Sequence, residues 1–122
     1  ALQAVVKSKG AKLVLVSDVP YLPQIGEYCV GARASSCRFD WVGSDQDRYK
    51  DEGAFNRLAA DSSTFYLPIY QYFCDKSARH TCSAQIPGTT TLAYFDEQHL
   101  TTAGAVYLWP FLCSFFADAG LL

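Results

Sequence analysis

The sequence predicts an α/β fold, and three stretches carry that expectation. Leu13-Val14-Leu15-Val16 is an apolar run set between Lys12 and Ser17-Asp18-Val19-Pro20. Apolar on both faces, it reads as a strand of a parallel sheet covered on each side by helices. Ala1 to Lys9 places apolar residues at Leu2, Val5 and Val6, with Lys7 and Lys9 near its end and Gly10 behind it. That is the pattern of the closing turns of a glycine-capped helix. Ala103 to Ala117 is a long uncharged run and reads as a buried helix. Helices and strands in alternation give a layered α/β arrangement. A fully apolar strand needs neighbours on both edges, and this chain offers only one or two more. Residues 1–122 are therefore expected to form the C-terminal portion of a doubly wound domain.

Tyr21 to Gly53 is rich in prolines and glycines and longer than an ordinary connection, so it reads as a decorated, functional loop. Asp51 to Asp61 begins with acidic residues and spaces Phe55, Leu58 and Ala59 as a short helix would. Thr64 to Phe73 is dense in β-branched and aromatic residues and predicts a strand bent at Pro68. A loop spans Cys74 to Cys82, Pro87-Gly88 marks a turn, and Leu92 to Phe95 predicts a short strand leading into Asp96. Thr101 or Thr102 is the expected cap of the final helix. Pro110 predicts a kink or break inside it, and Gly120 its end.

Composition narrows the function classes. Half of the residues are apolar, 15% aromatic and 18% charged, which argues against disorder. The net charge of −2 comes with no basic stripe and no aromatic-plus-basic motif, so no nucleic-acid partner is expected. No signal-peptide pattern opens the chain. The uncharged run from Ala103 is shorter than the ~20 residues of a membrane-spanning helix.

The cysteines are Cys29, Cys37, Cys74, Cys82 and Cys113. Cys29/Cys37 and Cys74/Cys82 each enclose a short loop. Two local disulfides suit that spacing and imply an oxidising compartment such as a periplasm, although other pairings remain open. Zinc is the competing reading, but neither pair has CxxC spacing and the histidines are not placed as partners. Cys113, in the last helix, is expected to be a buried thiol outside any bridge.

Chemistry concentrates in Tyr94-Phe95-Asp96-Glu97-Gln98-His99-Leu100-Thr101. An aspartate three residues before a histidine, on a strand-to-helix turn, can set its carboxylate against the imidazole. The contact fixes the ring tautomer and stabilises the imidazolium, readying the far nitrogen to take a proton from a serine hydroxyl. Asp-x-x-His by itself is a common pattern, in which the aspartate can simply cap a helix and the histidine pack.

Asp96-x-x-His99-Leu100-Thr101 followed by Ala103-Gly104-Ala105 resembles the last conserved block of SGNH (GDSL-like) hydrolases. The Cys74…Cys82 loop and the Tyr-x-Asp approach are similar to one subgroup, the extracytoplasmic SGNH domain fused to acyltransferase-3 membrane proteins, which O-acylate surface glycans. The Lys-Leu-Val-Leu-Val…Pro segment is similar to that domain's penultimate parallel strand. The resemblance is loose over residues 1–73 and specific over about 74–112.

The resemblance implies a three-layer α/β/α, flavodoxin-like domain lying outside the cytoplasm and tethered to a membrane. It implies His99 as general base and Asp96 as its orienting partner in a serine esterase or O-acyltransferase acting on acetyl or other acyl groups of a saccharide. No metal or organic cofactor is implied. The family's Gly-Asp-Ser nucleophile segment, and the glycine and asparagine of its oxyanion hole, are expected upstream of Ala1. The partners implied are an acylated glycan and either an N-terminal half or a membrane acyltransferase domain, and residues 1–122 alone are expected to be nearly inactive.

Ser17 stands where α/β folds place ligands, but no glycine precedes it to make a sharp elbow, so it reads as a loop-start residue. His80 reads as a solvated loop residue. Asp45, Asp47, Asp51 and Glu52 lack the order of a calcium loop and read as a solvated acidic stretch. Tyr66, Tyr70, Tyr72 and Tyr94 suit either a sugar-binding surface or packing. A non-catalytic, disulfide-tied glycan-binding or interaction module is the alternative they keep open.

Overall fold

The computed structural model describes residues 2–22, 29, 37–41 and 46–122. Helix α1 (Leu2–Ser8) leads to strand β1 (Leu13–Val16), strand β2 (Arg38–Asp40), helix α2 (Gln46–Leu58) and strand β3 (Thr64–Leu67). Strand β4 (Thr81–Ser83) and helix α3 (Thr102–Asp118) complete the order. The mixture of helices and strands is compatible with the expected α/β class, and among the described residues the strands form two two-stranded sheets.

Strand β1 pairs in parallel with β3, Leu13 opposite Thr64 through Val16 opposite Leu67. The β-branched and aromatic residues of Thr64-Phe65-Tyr66-Leu67 favour this extended backbone. Among the described residues β1 has this one neighbour, and it is half-buried instead of covered on both faces, Val16 being 46% exposed. Strand β3 ends at Leu67 and does not run on to Phe73. Pro68 has no N–H to donate to a ladder, and Ile69–Tyr72 coils into a 3₁₀ turn.

A second, antiparallel pair lay hidden in stretches read as loop: β2 against β4, with Phe39 opposite Cys82. Helix α2 likewise starts at Gln46, inside the stretch expected to be irregular. The strand expected over Leu92–Phe95 is absent as such. Single bridges join Gln85 to Leu92 and Tyr94 to Leu100.

Both glycine caps are where the sequence placed them. Gly10 and Gly120 have φ of +66° and +63°, values that glycine adopts without Cβ strain. At α1 the Gly10 N–H donates to the Lys7 carbonyl and Ala11 N–H to Val6; at α3, Gly120 donates to Ala117 and Leu121 to Phe116. These are Schellman closures of orphan carbonyls. Lys12 Nζ donates to the Ala119 and Gly120 carbonyls at 3.0 and 3.2 Å, a cation at a helix C-terminus. The end of α3 is thereby fastened beside the start of β1.

Helix α3 is continuous through Pro110, so the expected break does not occur. Proline strips the Val106 carbonyl of its helical donor. Both residues are exposed, so water can replace the bond.

The core gathers Val19, Leu22, Cys29, Cys37, Phe73, Ala84, Ala93, Tyr94 and Leu108. It thus lies between the antiparallel β2–β4 pair and α3, not around the parallel pair. Burying Leu108 to 5% exposure contributes about 2 kcal/mol. Cys74 and Cys82 form a disulfide, as expected. Cys29 and Cys37 do not: both are buried, reduced thiols. Burial, followed by hydrogen bonding and charge from Cys37, pushes the Cys29 thiol up to about 12. Two small sulfur groups packed side by side as core residues serve each other here without a bridge. Cys113 is outside any disulfide and half-buried.

Candidate functional site

The segment after Ala93 doubles back on itself. Thr101 N–H donates to the Ala93 carbonyl and Phe95 N–H to the His99 carbonyl, both at 2.9 Å, and Tyr94 bridges Leu100. A closed loop results, with Asp96 and His99 at its tip. Thr101 then caps α3. Its hydroxyl accepts the Gly104 N–H at 3.0 Å and donates to the Leu92 carbonyl at 2.9 Å. The helix start rides directly on the loop base: a Cβ on Gly104 would lie 2.2 Å from the Ala93 oxygen. Only glycine permits that approach.

Within the tip, Asp96 Oδ1 accepts the backbone N–H groups of Gln98 and His99 at 2.9 and 2.8 Å. The two carboxylate oxygens also meet His99 Nδ1, at 2.9 and 2.8 Å. The bond from Gln98, then the one from the His99 ring, lowers the Asp96 pKa below its ordinary value. An ionised carboxylate can only accept. Nδ1 therefore carries the proton, and Nε2 of the neutral ring keeps its lone pair. Among the described residues Nε2 makes no hydrogen bond, and the His99 side chain is 64% exposed. The pair expected from the sequence is in contact, and its basic nitrogen is open.

The segment leaving β1 supports the loop from behind. Leu22 N–H donates to the Glu97 carbonyl at 2.7 Å, and Tyr21 Oη to Glu97 Oε2 at 2.7 Å. Tyr94, 1% exposed, lies close enough to Asp18 for that carboxylate, after burial itself, to raise the phenol's pKa. The dyad thus stands at the C-terminal side of β1, where open α/β sheets expose their loops.

The other sequence candidates separate. Ser17 is 4% exposed, and its hydroxyl accepts the Ile69 N–H at 2.7 Å. It closes the loop start, as expected. His80 is not simply solvated: its ring lies 5.4 Å from that of Tyr70 and 6.2 Å from that of Trp41. The tyrosines do not make one surface. Tyr94 is buried against Phe73, Tyr72 stacks on Phe111 at 4.3 Å, and Tyr66 leans on Phe55 at 5.5 Å. Asp45 lies outside the described residues.

Asp51 is exposed, as the solvated-acid reading expects, but Glu52 departs from it. It sits on α2, 7% exposed, with Oε2 buried and without a hydrogen-bond partner among the described residues. Burial, with Asp51 beside it, raises its pKa to about 7. The signal was present in the sequence: Glu52 precedes Phe55 by three residues and so shares the apolar face of the helix.

No curated protein matches the sequence, and no solved structure matches it. Among the described residues, no helix is long and apolar enough to cross a membrane. A family model does match, over residues 1–112, which takes in β1, the disulfide, the Asp96–His99 loop and the first two thirds of α3. This chain belongs to the family of SGNH domains fused to AT3 domains.

Proposed function

We propose that this chain supplies the Asp–His half of a serine esterase or O-acyltransferase site. The observation that carries the reading is the Asp96 carboxylate at 2.8 and 2.9 Å from His99 Nδ1, with Nε2 open. His99 Nε2 takes the proton of the nucleophilic serine as its oxygen attacks the ester carbonyl, while Asp96 stabilises the imidazolium that forms. His99 then returns that proton to the departing hydroxyl. In the second half-reaction the same nitrogen deprotonates water for hydrolysis, or a sugar hydroxyl for transfer.

Ser17 is committed to Ile69, and the 122 residues contain no Gly-Asp-Ser. The nucleophile in this reading comes from a Gly-Asp-Ser segment of the N-terminal half of a three-layer domain, of which residues 1–122 form the C-terminal part. Membership in the family of SGNH domains fused to AT3 domains supports an extracytoplasmic, membrane-tethered setting and an acylated surface glycan as substrate. The disulfide between Cys74 and Cys82 is consistent with that compartment.

The test is p-nitrophenyl acetate hydrolysis by this chain and by a form extended upstream through a Gly-Asp-Ser segment, each with and without His99→Ala. Activity in the extended form alone, abolished by the substitution, is the expected result. His99-independent activity, or none in either form, would overturn the assignment.

A further inference from the structure

A cavity lies beyond the end of β1, and neither Asp96 nor His99 is among its lining residues. Its volume is about 290 Å³, and Asp18, Asp51, Glu52, Trp41 and Phe55 are among the residues that line it. Three independent features make it a site. Glu52, 7% exposed as a residue, brings a carboxyl group with one buried oxygen unpartnered among the described residues, and a buried acceptor left unmet is costly. Among the described residues, every charged residue of the lining is acidic, which favours a cationic ligand over an anionic one. Trp41 and Phe55 supply aromatic walls, and such walls attract a cation over their faces.

A bare metal ion suits the arrangement poorly. Among the described residues no three carboxylate, imidazole or thiolate groups converge as ligands would. A diffuse cation with an apolar body asks for less: one buried charge partner, further acids nearby and aromatic surface.

We propose that this cavity binds an organic ammonium group, with Glu52 as its ion-pair partner, Asp18 and Asp51 reinforcing the field, and Trp41 and Phe55 as walls. Burial, which raises the Glu52 pKa to about 7, leaves part of the carboxyl population protonated at neutral pH; an arriving cation offsets that burial, so binding should release a fraction of a proton. The site's position beyond the C-terminal end of β1 places it on the dyad's side of the sheet. Its occupancy does not depend on catalysis, so the two readings stand or fall separately.

The experiment is calorimetric titration of the protein with glucosamine, using glucose as the uncharged control, at neutral pH in two buffers of different ionisation enthalpy. Glucosamine should bind at least tenfold more tightly than glucose, with buffer-dependent heat. Glu52→Gln keeps the shape and removes the charge, and should weaken glucosamine at least tenfold and abolish the buffer dependence. Equal binding of the two sugars would overturn the ammonium assignment in favour of a hydroxyl site. Absence of glucosamine binding at millimolar concentration, with Glu52→Gln more heat-stable than the parent, would overturn it in favour of a packing defect.

Discussion

Asp96 holds His99 at two points: the ring through Nδ1 at 2.8 Å from Oδ2, and the backbone through its N–H at 2.8 Å from Oδ1. One carboxylate therefore sets the tautomer and also the path of the chain that carries the ring.

Two substitutions separate those roles. Asp96→Asn keeps an oxygen for the backbone N–H groups but removes the charge facing the imidazole. Esterase activity of the complete domain should fall by roughly a thousandfold to ten-thousandfold, with the melting temperature little changed. Asp96→Ala should lose activity similarly and also destabilise, by about 1 kcal/mol, because the turn's acceptor goes with it. Kinetics and thermal melts on the two variants check this. Since the Asp96 pKa is lowered, the carboxylate's contribution is present at neutral pH and lost only as pH falls through the lowered value.

Gly104→Ala should destabilise by about 1–3 kcal/mol, because its methyl group would overlap the Ala93 carbonyl. Gly53→Ala, whose Cβ meets only the end of Arg57 at 3.5 Å, should stabilise by about 0.5–1 kcal/mol. Denaturant titration of both variants distinguishes a packing constraint from helix propensity.

Glu52 makes stability depend on pH in the less familiar direction. Its folded pKa of about 7 lies above the ordinary 4.5, so over that interval the folded state holds more protons than the unfolded one. Its contribution is complete below pH 4.5 and is lost as pH rises through 7, by roughly 3 kcal/mol in all. Glu52→Gln should flatten that part of the curve. Unfolding free energies at pH 4.5, 6 and 8 provide the check.

Replacing Cys74 and Cys82 together by alanine should cost about 2–3 kcal/mol, the loop-closure value for a bridge between residues eight apart. Reducing agent should lower the melting temperature of the parent and leave that of the double variant unchanged.

Features that a few adjacent residues decide were legible in the sequence. Gly10 and Gly120 announced their helix ends, Thr101 its cap, and the spacing from Asp96 to His99 its contact. Features that depend on a distant partner were not. Nothing local shows that Arg38–Asp40 finds Thr81–Ser83, or that Leu92–Phe95 finds single bridges in place of a ladder. Pro68 was read as a bend when its missing N–H ends the strand. Cys29 and Cys37 have spacing fit for a bridge, yet their burial makes two core thiols equally serviceable. Glu52 was misjudged by its acidic neighbours, because charge counted along the chain does not reveal which face of a helix turns inward.

The Thr101 hydroxyl, bonded to Leu92 on one side and Gly104 on the other, makes the loop and the helix a single mechanical piece. Its entropy of ordering is spent when the chain folds, before any substrate arrives. In the proposed reaction, His99 would therefore have little left to lose in reaching a working orientation. A nucleophile presented by another part of the protein would meet a base already aimed, so the speed of assembly would be set by how that nucleophile approaches and not by any rearrangement here.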